Sequence, residues 1–72
     1  MASPPRLGMK LGDRETVMLN FASHGMTAKQ IADSMGLAVH TVQTYAHNIR
    51  VKLGGYTTTH CVAIALRRGI IK

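Results

Sequence analysis

From Asp13 onward the apolar residues recur every three or four positions, and no stretch alternates apolar with polar for long enough to make a strand. The chain therefore reads as all-α, with four helices. The first is expected from about Asp13 to His24, with Met18, Leu19, Phe21 and Ala22 as its apolar stripe, Asp13 and Glu15 at its positive end and Gly25 as its stop. The second is expected from Ala28 to Met35. Thr27 and Gln30 have the spacing of a reciprocal cap, and Ile31, Ala32 and Met35 form the apolar face. Gly36 then ends the helix, because glycine accepts the left-handed backbone of a sharp turn. After Leu37 re-enters the core, a third helix is expected from about Val39 to Leu53, with Val42, Ala46, Ile49 and Leu53 on one buried line. Gly54 and Gly55 break it. A fourth, from about Thr58 to Arg68, is expected to bury Cys61, Val62, Ala65 and Leu66. Residues 1–12 hold two prolines and two glycines without a sustained period and read as a flexible N-terminal tail, leaving 13–72 as one folded domain.

Charge changes this picture from a generic helical domain to one with a preferred partner. Nine Lys and Arg against three Asp and Glu give a formal net charge of +6 on 72 residues. All three acids, Asp13, Glu15 and Asp33, lie in the first half, so the second half is purely basic and a polyanion is the expected partner. A basic surface can also serve solubility alone, and charge by itself does not choose between the two. The single Cys61 rules out an internal disulfide and fits an inert core thiol in a reducing compartment. No run approaches the roughly 20 apolar residues that span a bilayer, and the opening residues lack the apolar middle of a secretion signal. A cytoplasmic, nucleoid-associated protein with no membrane partner is expected.

The third helix carries the candidate chemistry. A short helix, a three-residue turn with glycine (Gly36, Leu37, Ala38) and a longer helix with a polar outer face let one helix enter a groove while its neighbour braces it. His40, Gln43, Thr44 and His47 recur on that outer face at helical spacing. Gln can bond adenine N6 and N7, Thr offers a hydroxyl and a methyl suited to thymine, and His can donate to a purine acceptor. Taken singly, such residues are usually only a solvated face. His40 and His47 share a face, but no Cys, Asp or Glu nearby completes a metal site, so no metal and no cofactor are expected. The three acids have no adjacent nucleophile and the chain is too short for a deep pocket, so no enzyme is expected either.

The segments L-G-D-R-E, G-M-T-A-K-Q-I-A, T-V-Q-T-Y-A-H-N-I-R-V-K-L-G and the closing G-I-I resemble the C-terminal DNA-binding domain of LuxR-type (GerE-like) bacterial regulators, from Leu11 to Ile71. The middle segment is the specific one, since Thr41-Val42, Tyr45, Asn48-Ile49 and Lys52-Leu53-Gly54 stand in the family's order and spacing. The resemblance implies a four-helix helix-turn-helix domain whose third helix enters the major groove of double-stranded DNA and whose fourth supplies a dimer contact. It further implies that Gln43, Thr44 and His47 face bases, and that Lys29, Thr41, Tyr45, Asn48 and Lys52 approach phosphates. Arg50 joins the phosphate set on charge grounds. The sequence departs from the family at Gly12, where threonine is usual, at Ala38, where a capping hydroxyl is usual, at Gly55, usually apolar, and at Thr58, usually arginine.

The expected function is sequence-specific transcriptional regulation by groove occupancy, without an attached sensor and as a homodimer. Helical geometry is read as placing His60, Ala63, Ile64 and Arg67 on the outward face of the fourth helix, with Ile64 as the apolar contact. The alternative is an interaction protein that uses that same face to pair with another LuxR-type regulator, or with the transcription machinery, and modulates it.

Overall fold

The computed structural model describes residues 4–72; Met1, Ala2 and Ser3 lie outside them, together with that part of the expected tail. The described residues contain four helices, α1 (Asp13–Ser23), α2 (Ala28–Met35), α3 (Val39–Leu53) and α4 (Thr58–Arg67), and no strand. α1 packs against all three others, and α3 lies between α2 and α4, which do not touch each other. Met18, Leu19, Ile31, Ala32, Val42, Ile49, Leu53, Cys61 and Ala65 form the shared core. Ile71 closes it from the C-terminal end.

Local chemistry sets most of the helix ends. At α2 the Thr27 hydroxyl accepts from the Gln30 N–H at 3.2 Å, and the Gln30 side chain accepts from the Thr27 N–H at 2.8 Å, so two orphan donors are satisfied reciprocally. Gly36 ends α2 at φ 68°, and the Leu37 N–H returns to the Ala32 carbonyl at 2.9 Å. This closure turns the chain from α2 into α3 and sends Leu37 back to the core. α4 starts on Thr57, whose hydroxyl accepts from the His60 N–H at 3.0 Å. α3 starts on Ala38, which has the extended backbone of a cap but no side chain to fill the role.

Two expectations change. The stretch before α1 is not a free tail where it is described: Leu11 is only 8% exposed and belongs to the core. Ahead of it, the Gly8 N–H donates to the Lys52 carbonyl at 2.9 Å. Burying one such side chain stabilises by about 2 kcal/mol, so the packed unit extends at least to Leu11. On α4, Leu66 was expected inside and Ile64 outside, and the structure reverses them. Ile64 is half-buried against the core, whereas Leu66 is 49% exposed. Helix geometry gives the reason: Ile64 lies three residues after Cys61, about 60° around the axis, while Leu66 lies five after it, about 140° around.

The loop between α3 and α4 is shaped by one close approach. A Cβ on Gly55 would stand 2.5 Å from Cys61 Sγ, well inside van der Waals contact. Gly55 and Cys61 therefore fit as a pair, the missing side chain of one leaving room for the sulfur of the other. Burial pushes the Cys61 thiol up from its ordinary value, against the opposing pull of the Arg50 charge and of a hydrogen bond from Gly55. The thiol is thus protonated at neutral pH and, fully buried, unreactive.

Candidate nucleic-acid interface

α3 is 15 residues long, which at about 1.5 Å per residue makes a rod of roughly 22 Å. Val42, Ile49 and Leu53 anchor one side in the core. The opposite side presents His40, Gln43, Thr44 and His47, all exposed. In the observed rotamer the Thr44 hydroxyl donates to the His40 carbonyl at 3.0 Å, one turn back. Its only proton is then in use, and what it offers outward is an acceptor and a methyl group. Gln43 stands at the flank of this face, at the rim of a cleft that also exposes Arg50.

The residues expected to approach phosphates divide into three groups. Lys29 is exposed at the start of α2, next to the Thr27 cap. Thr41, Asn48 and Arg50 are half-buried on α3, and Tyr45 is half-buried with its ring against the core. Lys52 is different, because its Nζ donates to Glu15 Oε1 at 2.6 Å and the two side chains are only 12% and 8% exposed. The same Glu15 oxygen accepts from the Gly12 N–H at 2.8 Å, which supplies half of a capping arrangement where the glycine has no side chain to give. Lys52 therefore ties α3 to the start of α1, and its charge is spent internally.

Glu15 is the residue that the sequence reading undervalued. An acid three positions after a helix N-cap signals the capping contact, but nothing local signals a partner 37 residues away. The pairing also alters the electrostatics, since it leaves eight cations against Asp13 and Asp33. Arg50 has no carboxylate partner among the described residues.

On α4, His60 turns toward the loop before it. Its Nδ1 accepts from the Tyr56 N–H at 3.1 Å, and its ring stacks on Tyr56 with centroids 5.7 Å apart and planes 17° from parallel. Ala63 is half-buried and Arg67 exposed. On the outward side of α4 Leu66 is exposed and Ala63 half-buried, whereas Val62 and Ile64, both half-buried, pack against the core. Among the described residues no cluster of three or more His, Cys, Asp or Glu could hold a metal ion.

The sequence profile of the family described as GerE, bacterial regulatory proteins, luxR family, matches residues 9–65. The chain belongs to the LuxR family. This LuxR-family chain is 41% identical over 61 residues to the quorum sensing-dependent transcriptional regulator VjbR of Brucella ovis, covering 85% of this chain and 24% of VjbR. It is 42% identical over 55 residues to the DNA-binding transcriptional activator DevR/DosR of Mycobacterium tuberculosis, covering 76% of this chain and 25% of that protein. Among solved structures it is similar to the Vibrio cholera VqmA–ligand–DNA complex, with a TM-score of 0.79 and 28% identity over 97% of this chain and 31% of that one. The chain thus spans about a quarter to a third of the length of these relatives. The shared fold includes α1 to α4, and the matched LuxR-family segment contains every residue of α3.

Proposed function

We propose that this LuxR-family domain is a sequence-specific transcriptional regulator that binds double-stranded DNA by laying α3 in the major groove. The observation that carries this reading is the polar side of α3, where His40, Gln43, Thr44 and His47 stand exposed on a rod fixed from behind by Val42, Ile49 and Leu53. A major groove about 12 Å wide admits such a helix. Gln43, Thr44 and His47 read base edges, with Thr44 offering an acceptor and a methyl as its hydroxyl proton is held by His40. Lys29, Thr41, Tyr45, Asn48 and Arg50 fix the register on phosphates. Lys52 contributes by positioning, since its ammonium is held by Glu15.

Two copies pair through α4, over Ala63 and Leu66, with Arg67 at the edge. Exposed Leu66 is the apolar contact in place of Ile64. The same surface supports a second reading, in which the partner is a longer LuxR-family protein that this domain modulates. No helix among the described residues is long and apolar enough to cross a membrane.

Selection of bound sites from a random duplex pool, followed by competition titration and sizing of the complex, tests the proposal. The selected duplex is expected to bind about 10³-fold or more tightly than unrelated DNA, with half-sites about 10 base pairs apart or a multiple of that. Two protomers per duplex that become one in Leu66→Glu support the α4 pairing. Equal competition by duplexes of any sequence contradicts base reading.

A further inference from the structure

A cleft of about 670 Å³ opens between α2 and α4, over the flank of α3. It exists because those two helices do not touch, and because the residues between them are small: Ala22, Gly25, Ala28 and Ala46. Its floor is apolar, built from Met18, Met26, Ile31, Val42 and Val62. Its rim is polar, with the Gln43 amide and the Arg50 guanidinium on α3 and the Thr58 and Thr59 hydroxyls at the start of α4. The volume lies within the range of about 300–1,000 Å³ that holds small ligands.

Arg50 decides the sign of what fits. It is half-buried at the wall and has no carboxylate partner among the described residues. Glu15 is occupied by Lys52, and neither Asp13 nor Asp33 lines the cleft. An apolar floor beside one unpaired guanidinium matches a small amphipathic anion, whose chain covers the methionines while its head takes the guanidinium in charge-assisted hydrogen bonds.

We propose that the cleft binds a free amphipathic anion with a medium-length hydrocarbon chain, and that its occupancy competes with DNA because Gln43 and Arg50 serve both. Only the competition rests on the DNA-binding reading given above. The ligand-binding half stands on the cleft alone, so the two can fail separately. The mechanism is direct occlusion: a head group on Arg50 removes a phosphate contact, and a chain under Gln43 displaces its amide from the groove-facing flank.

Decanoate serves as the probe, with decyltrimethylammonium as a control of equal chain length and opposite charge. Methyl resonances of the full chain are followed without DNA. Decanoate is expected to shift Met26, Ala46 and Val62 saturably, one molecule per protomer, well below its micelle concentration, whereas the cation leaves them in place. Arg50→Gln weakens this binding about tenfold, the loss of one charge-assisted contact. Ala28→Phe, at an exposed rim position, narrows the cleft and weakens it likewise. With a selected duplex present, decanoate raises the apparent Kd for DNA in the parent chain and much less in Ala28→Phe. Shifts that are absent, scattered over the surface, equal for both probes or confined to micellar concentrations overturn the site. Saturable shifts at an unaltered DNA affinity overturn the competition.

Discussion

Glu15 and Lys52 meet where α1 begins and α3 ends, and the carboxylate oxygen that takes the ammonium also takes the Gly12 N–H. Lys52→Met leaves that carboxylate buried with one hydrogen bond, a situation that costs about 3 kcal/mol. Chemical denaturation is expected to show a loss of this size, while Arg67→Met, at an exposed site, stays within about 0.5 kcal/mol. Two equally small effects would mean that the pair does not hold the helices together. Gly55 and Cys61 make a second coupled pair. Gly55→Ala drives a methyl into the sulfur and is expected to destabilise by about 1–3 kcal/mol. Adding Cys61→Ala frees the space, so the double variant recovers part of the loss, and strictly additive effects in that cycle would contradict the contact.

α2 has both ends secured, by Thr27 and Gln30 at one and Gly36 at the other. α3 lacks that security, because Ala38 holds the backbone of a cap, φ −72° and ψ 151°, with no oxygen to offer. Ala38→Ser supplies the oxygen without moving the chain and is expected to stabilise by about 1 kcal/mol. Thermal melts that show no gain would indicate that water already serves those N–H groups. This contrast also explains what the sequence made legible. Helix order, the α2 cap, the Gly36 turn and the exposed side of α3 follow from residues within one or two turns of each other, and all were readable. Three features were not. Leu11 was read as tail because a lone leucine among glycines shows no period. The Lys52–Glu15 pair spans too much chain for any local signal. The α4 face turns on angle: the inward set Cys61, Val62, Ala65 and Leu66 spans about 140° of the helix, too wide for one buried side, so Leu66 falls outside and Ile64, about 60° from Cys61 the other way, packs against the core.

For the molecule as a whole, an uneven charge distribution is the feature that concerns a polyanionic partner most directly. Lys52 is withdrawn from it and Arg50 is not. A protein that neutralises phosphates releases counterions, so its affinity falls with salt at a slope set by the number of contacts. Arg50→Gln is expected to make that slope shallower by about one contact, whereas Lys52→Met, assayed where it remains folded, leaves it unchanged. A reduction of the slope by both substitutions would place the Lys52 ammonium on DNA after all, and with it a rearrangement of the start of α1 on binding. α1 touches every other helix, α3 included, so the start of α1 and the DNA-facing helix are in direct contact through the fold.

The most direct test of base reading by α3 is the affinity of Gln43→Ala for a selected duplex and for every single base-pair change within it. The predicted result is a loss of about 1–3 kcal/mol on the selected site, with discrimination relaxed at one base pair and retained at the others. The same loss on every duplex, with the full preference intact, would show that Gln43 touches no base and that the exposed side of α3 does not read sequence there.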